Sequence, residues 1–156
     1  MIPEKFVINI FVNPKFKTKI DQSIIRNAVQ TTLESEGNTH VSLSIKFTKD
    51  KEVRLLNKAY RNIDKTTDVL AFNQGYIDPE TDLLYLGDII ISCEQAQLQA
   101  NENGRSVTEE CALLTVHGTL HLLGYDHATP GEKAIMWKKQ DHILKSVLRP
   151  GLEDDT

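Results

Sequence analysis

Eleven residues, His117 to His127, read H-G-T-L-H-L-L-G-Y-D-H and hold three of the five histidines in the chain. His117 and His121 are one helical turn apart, so on an α-helix both imidazoles project from one face and can converge on a single ion. Gly124 can take the left-handed conformation that stops a helix and turns the chain, which returns His127 towards the same point. Three neutral nitrogen donors leave the fourth position of a tetrahedral zinc open, the arrangement of a catalytic rather than a structural ion. The chemistry on offer is metal-assisted hydrolysis.

A lone histidine on an apolar helix face is ordinarily a core residue with its hydrogen bonds satisfied. The helix predicted from Val107 to Leu123 is a different case. It carries Cys111, Ala112, Leu113, Leu114, Val116, Leu120, Leu122 and Leu123, so it is apolar nearly all round and must be deeply packed. Two imidazoles stacked within it leave several nitrogens to satisfy, at roughly 1–3 kcal/mol each if unpaired. A shared ion removes that cost.

The same spacing occurs in the metzincin peptidases, whose signature is H-E-x-x-H-x-x-G-x-x-H. Those enzymes require a glutamate directly after the first histidine as general base, and here that position is Gly118. The metal geometry is kept and the peptidase base is missing. Zinc can still serve a phosphodiester, because the ion acidifies water and neutralises charge on phosphoryl oxygens. Asp126, beside His127, is placed to orient a ligand, to handle a proton or to cap the turn.

A second group of interest is cationic. Lys51, Arg54, Lys58 and Arg61 fall within an arc of about 80° on a helix predicted from Lys51 to Arg61, with Val53, Leu56, Ala59 and Tyr60 opposite. A charged outer face is the ordinary state of an amphipathic helix. Four cations without an acid on the arc differ from the usual mixed pairs and suit a phosphate backbone.

Other elements must carry these residues. Phe6 to Val12 reads as a strand, with Phe6, Ile8, Ile10 and Val12 on one face and Val7 and Phe11 on the other, which predicts cover on both sides. Asp21 is a candidate N-cap for a helix with an apolar stripe of Ile24, Ile25, Ala28, Val29 and Leu33, stopped by Gly37. Val41 to Phe47 alternates completely, which predicts Ser42, Ser44 and Lys46 facing solvent. Asp68 to Phe72 is a short strand, 78–82 a turn, and Leu83 to Ile91 a strand whose run Ile89-Ile90-Ile91 marks a central place in the sheet. Ser92 with Gln95, Ser106 with Glu109, and Thr129 with Glu132 are capping-box patterns, and Pro130 sits at a first helical position. The resulting fold class is α+β: a mixed, four-stranded sheet with helices packed against it, in the order βαβαββααα.

Length and composition narrow the function classes. At 156 residues the chain is expected to be a single domain, 1–156, with 153–156 a disordered acidic tail. Removing Glu153, Asp154 and Asp155 from the 22 acidic residues leaves 19 against 18 basic, so local patches matter more than the net charge of -4. No segment is long and apolar enough for a membrane span, and the N-terminus carries no secretory pattern, so a cytoplasmic location is expected. Cys93 and Cys111 read as small core residues. His40 and His142 read as surface or partly buried residues without a role.

The His117–His127 segment resembles the H-G-x-L-H-L-x-G-Y-D-H signature of the YbeY family of bacterial endoribonucleases and ribosomal RNA maturation factors. Two further segments agree: Leu56 to Arg61 leading to Thr67-Asp68-Val69-Leu70-Ala71-Phe72, and Leu86 to Ser92. Thr66 stands where the family commonly has proline, and Ala71 where it has serine. The resemblance implies one zinc ion held by His117, His121 and His127, and a functional role for Arg61. It further implies single-strand-specific endoribonuclease activity in 3′-end maturation of the small-subunit (16S) ribosomal RNA and in ribosome quality control. The partners implied are single-stranded or ribosomal RNA and the small subunit or its associated proteins, the chain acting as a monomer. Two other readings stay open: an assembly factor that binds RNA or ribosomal proteins around a structural zinc, and a zinc peptidase, against which Gly118 argues.

Overall fold

The computed structural model describes residues 6–149, and the acidic tail expected at 153–156 lies outside them. Nine regular elements follow in chain order: β1 (Phe6–Val12), α1 (Gln22–Ser35), β2 (Val41–Thr48), α2 (Asp50–Arg61), β3 (Val69–Ile77), β4 (Leu84–Ser92), α3 (Cys93–Asn103), α4 (Val107–Leu122) and α5 (Pro130–Leu148). This is the expected order, with an additional short 3-10 turn at Pro14–Phe16. The local signals act as read. Asp21 accepts from the Ser23 N–H, Ser106 and Glu109 form a reciprocal capping box, and Ser92 and Thr129 cap their helices.

The sheet order is β1-β2-β4-β3. β1, β2 and β4 are parallel, and β3 pairs antiparallel with β4 through the turn at 78–82. The run at the end of β4 explains its central position: Ile89 and Ile91 enter the main core, whereas Ile90 packs with Val53 and Leu70 under α2. Helices α1, α3 and α4 share the main core on one face. α5 packs outside, against α1 and α4, through Met136, Ile143 and Val147.

Three expectations about faces are corrected. β1 is an edge strand, and its second face is open, with Phe11 58% exposed, because α2 covers only the β3–β4 side of that face. Ser42 is buried rather than solvent-facing, since β2 is an inner strand. On α2, Ala59 and Tyr60 are exposed, and the buried positions are Val53 and Asn57, a single i, i+4 row that reaches the sheet. Asn57 is satisfied there by donating to the Lys65 carbonyl at 2.9 Å.

α4 lies unusually close to the sheet. A Cβ at Gly118 would stand 2.8 Å from Cγ2 of Ile89, a buried β-branched side chain with little freedom to yield. Glycine at 118 thus sets the depth at which the histidine-bearing helix is seated. Gly118→Ala should destabilise the fold by about 1–3 kcal/mol through overpacking, read as a lower urea midpoint; an unchanged midpoint would show that Ile89 gives way freely.

Candidate metal centre

The chain reversal after α4 is built from backbone hydrogen bonds. The Gly124 N–H donates to the His121 carbonyl at 3.0 Å and the Tyr125 N–H to the Leu120 carbonyl at 3.0 Å, with Gly124 at φ +101°. This is a Schellman motif, completed by packing of Tyr125 against the Leu120 cluster. The Tyr125 hydroxyl then donates to Glu36 at the end of α1, and Lys139 of α5 pairs with the same carboxylate at 3.2 Å. The returning segment is therefore anchored at its first residue, and Asp126 accepts the His127 backbone N–H at 2.7 Å. Of the roles open to Asp126, the structure shows the turn cap.

These constraints bring His117, His121 and His127 together, with one ring nitrogen from each within 4.8 Å of the others. The Nε2 atoms of His117 and His121 stand 3.1 Å apart. Two nitrogens on one tetrahedral zinc, each about 2.0–2.1 Å from it, are separated by about 3.3 Å, so the pair fits a shared ion. The His117 Nδ1–H donates to Oε1 of Gln140 at 2.8 Å, an assignment that leaves Nε2 as the free acceptor. Trp137, the single tryptophan, meets both His117 and His127 edge-on at centroid distances of 5.6 and 5.4 Å. Gln140 and Trp137 thus reach the centre from one face of α5. Burial lowers His117 and His121 below the ordinary imidazole value of 6.5, which keeps both neutral and able to ligate near neutral pH.

Arg61 meets the same centre from the other side of the sheet. Leu70 and Phe72 face α2, whereas Val69 and Ala71 face the main core. The Arg61 side chain passes round the open edge of β3, donates from Nη2 to the Ala71 carbonyl at 2.9 Å and lies 5.5 Å from the Phe72 ring centroid. It lines one cleft of about 680 Å³ with all three histidines, Asn57, Asp68 and Asn73. The other cations of the stripe do not join it: Arg54 pairs with Asp64 at 2.9 Å, and Lys51 and Arg54 line a separate hollow with Asp50 and Asp64. The expected row of free cations is thus reduced by an acid from the loop after the helix.

Three residues of the site were missed by the sequence reading. Asp68 contributes the cleft's fixed carboxylate, accepting from Gln99 at 3.2 Å and Thr67 at 3.3 Å, while its backbone carbonyl accepts from the Ser92 N–H at 2.9 Å. Gln140 and Trp137 were not singled out in the sequence. A signal was available in their three-residue interval, which puts an amide and the single indole on one helix face. Cys93 and Cys111 are buried free thiols, and burial pushes Cys93 up to about 12, so neither offers a thiolate to a metal.

The fold and cleft define a small α+β protein with a three-histidine centre of hydrolase type. The chain belongs to the endoribonuclease YbeY family, whose model matches residues 10–148. A YbeY endoribonuclease of Desulforamulus reducens is 45% identical over 129 residues, covering 80% of this chain and 84% of that protein. One from Caldanaerobacter subterraneus subsp. tengcongensis is 39% identical over 155 residues, covering 90% and 98%. A solution structure of a Thermotoga maritima protein shares the fold at TM-score 0.62 and 23% identity, over 96% of this chain and 97% of that one. No helix among the described residues is long and apolar enough to cross a membrane.

Two measurements check this account. Gln140→Leu should weaken zinc binding about 10- to 100-fold in chelator competition; unchanged affinity would mean that Trp137 alone holds the His117 ring. The metal-free protein should lose stability as pH falls from about 7 to about 5, because the unfolded chain takes up protons at the ordinary imidazole value before the folded histidines do. Urea midpoints across that range should fall, and more shallowly in a variant carrying His117→Gln and His121→Gln.

Proposed function

We propose that this chain is a zinc-dependent endoribonuclease selective for single-stranded RNA. Its place is in 3′-end maturation of the small-subunit (16S) ribosomal RNA and in ribosome quality control. In this reading it works in the cytoplasm as a monomer of one domain, 1–156, with the small subunit or its associated proteins as further partners. The observation that carries the reading is the shared cleft, in which a three-histidine cluster and an exposed arginine face one space. Water activation and phosphate recognition have to meet in such a space if a phosphodiester is to be hydrolysed.

His117, His121 and His127 would hold the ion, which when bound supplies acidified water and positive charge for the phosphoryl oxygens. Arg61 binds the phosphate: Nη2 is committed to the Ala71 carbonyl, which fixes the guanidinium fork and leaves its other N–H groups for the substrate. Asp68 and Asp126 both line the cleft, and Asp68, held in place by Gln99 and Thr67, is the carboxylate assigned here to take a proton from water. Peptidase chemistry is disfavoured by more than a missing side chain, because position 118 is turned into the sheet against Ile89.

Cleavage of a labelled single-stranded RNA, and of the same strand in a duplex, with and without chelator, tests the reading. Chelator-sensitive cutting of the single strand is the expected result; full cleavage by metal-free protein would sink it. His121→Ala should remove metal retention and cleavage together. Arg61→Ala should lower kcat/KM by about 100-fold or more with zinc still bound, and loss of zinc in that variant would make Arg61 a structural residue.

A further inference from the structure

The cleft has a neighbour that the chemistry above does not use. Tyr60 is 73% exposed, although it follows Ala59 and precedes Arg61 on a helix whose apolar residues would ordinarily turn inward. Its ring is not loose on the surface. It leans on Phe72 with ring centroids 5.5 Å apart and planes tilted by 59°, and Phe72 is itself packed on the small core beneath α2. The same Phe72 ring carries the Arg61 guanidinium at 5.5 Å. One half-buried ring therefore holds, side by side, the cation that faces the cleft and an aromatic surface open to solvent. Ile63, 48% exposed, is a further apolar residue in the cleft wall.

We propose that this Tyr60–Phe72 shelf is a stacking subsite for an unpaired RNA base beside the phosphate that is cut. The inference rests on the endoribonuclease reading and deepens it. Charge selects the occupant: Arg61, which shares the Phe72 ring with Tyr60, makes no ion pair with an acid among the described residues. An exposed ring beside a free cation matches a nucleotide, which offers an aromatic face and an anion one backbone unit apart. Every base has such a face, so the subsite is indifferent to sequence. A base held in a duplex has both faces covered by its neighbours, so the shelf admits only unpaired strands and gives the single-strand preference a physical source.

Steady-state cleavage of a single-stranded oligoribonucleotide by zinc-loaded protein tests this. Tyr60→Ala should raise KM about tenfold, the loss of one base–aromatic stack, with kcat changed by less than about twofold. Tyr60→Phe and Tyr60→Trp should keep the KM of the original protein. Zinc content and melting temperature should be the same in all four proteins, since the ring is exposed. A scan of abasic nucleotides through the strand needs no protein variant: one position next to the cut should raise KM about tenfold in the original protein and add nothing in Tyr60→Ala. An unchanged KM in Tyr60→Ala, or an equal loss on intact and abasic strands, overturns the shelf while leaving the endoribonuclease reading in place. Failure of the original protein to cut any RNA overturns both.

Discussion

Where α4 crosses β4, the helix and the sheet approach until Ile89 fills the place of a side chain at residue 118. That contact is the constraint on which the site depends. Residue 117 is one step, or about 100°, round the helix from 118, so seating Gly118 against the sheet turns His117 towards the edge where β3 ends the layer. His121 follows one turn later on the same side. A residue with a side chain at 118 would lift the helix and change the level of both imidazoles relative to Arg61, which is anchored on β3 and not on α4. The helix holds its own polar groups in check as well: the buried Thr115 and Thr119 hydroxyls each donate to the carbonyl four residues back at 2.7 Å.

The position of the third histidine depends on contacts made far away in sequence. The Schellman motif fixes the direction in which the chain leaves α4, but a helix ending alone would leave His127 free to swing. Tyr125, bonded to Glu36 beside Lys139, ties the reversal to α1 and α5 at once. α5 then contributes Trp137 against two of the rings and Gln140 behind one of them. The centre is therefore a joint product of three helices, and the burial that seats α4 also keeps two of its imidazoles neutral.

How much of this could be read in the residues follows from the range of each interaction. Caps, the glycine stop and the i, i+4 histidine pair are local, and each is visible in fewer than a dozen residues. The central place of β4 was legible because three consecutive isoleucines can be buried only where both faces are covered. Burial at sheet edges was not legible: Phe11 looks like a core residue in its strand, and only the position of α2 over β3 and β4 leaves it bare. The cationic row of α2 was read correctly as a pattern and too generously as a surface, because Asp64, which pairs with Arg54, comes from a loop whose path the helix does not determine. Gln140 and Trp137 were hidden for the same reason, since their role exists only once α5 has folded back over α4.

The position of β3 connects these parts. An edge strand exposes unpaired carbonyl and amide groups and is ordinarily shielded by charge, a bulge or a covering element. β3 has a register shift between Asn73 and Tyr76, and beside it Gly87 at φ +145° lets the Phe72 carbonyl approach to where a Cβ would stand. The outward carbonyl of Ala71 is covered by Arg61. That one hydrogen bond blunts the edge and at the same time holds a guanidinium at the mouth of the histidine cleft. Lysine could shield the edge as a point charge, but it could not both cap the carbonyl and keep a rigid fork for a phosphate. On the proposed function the arginine answers two demands together, and the open edge that makes the sheet vulnerable is also the route by which a residue from one layer reaches the histidine cleft on the other.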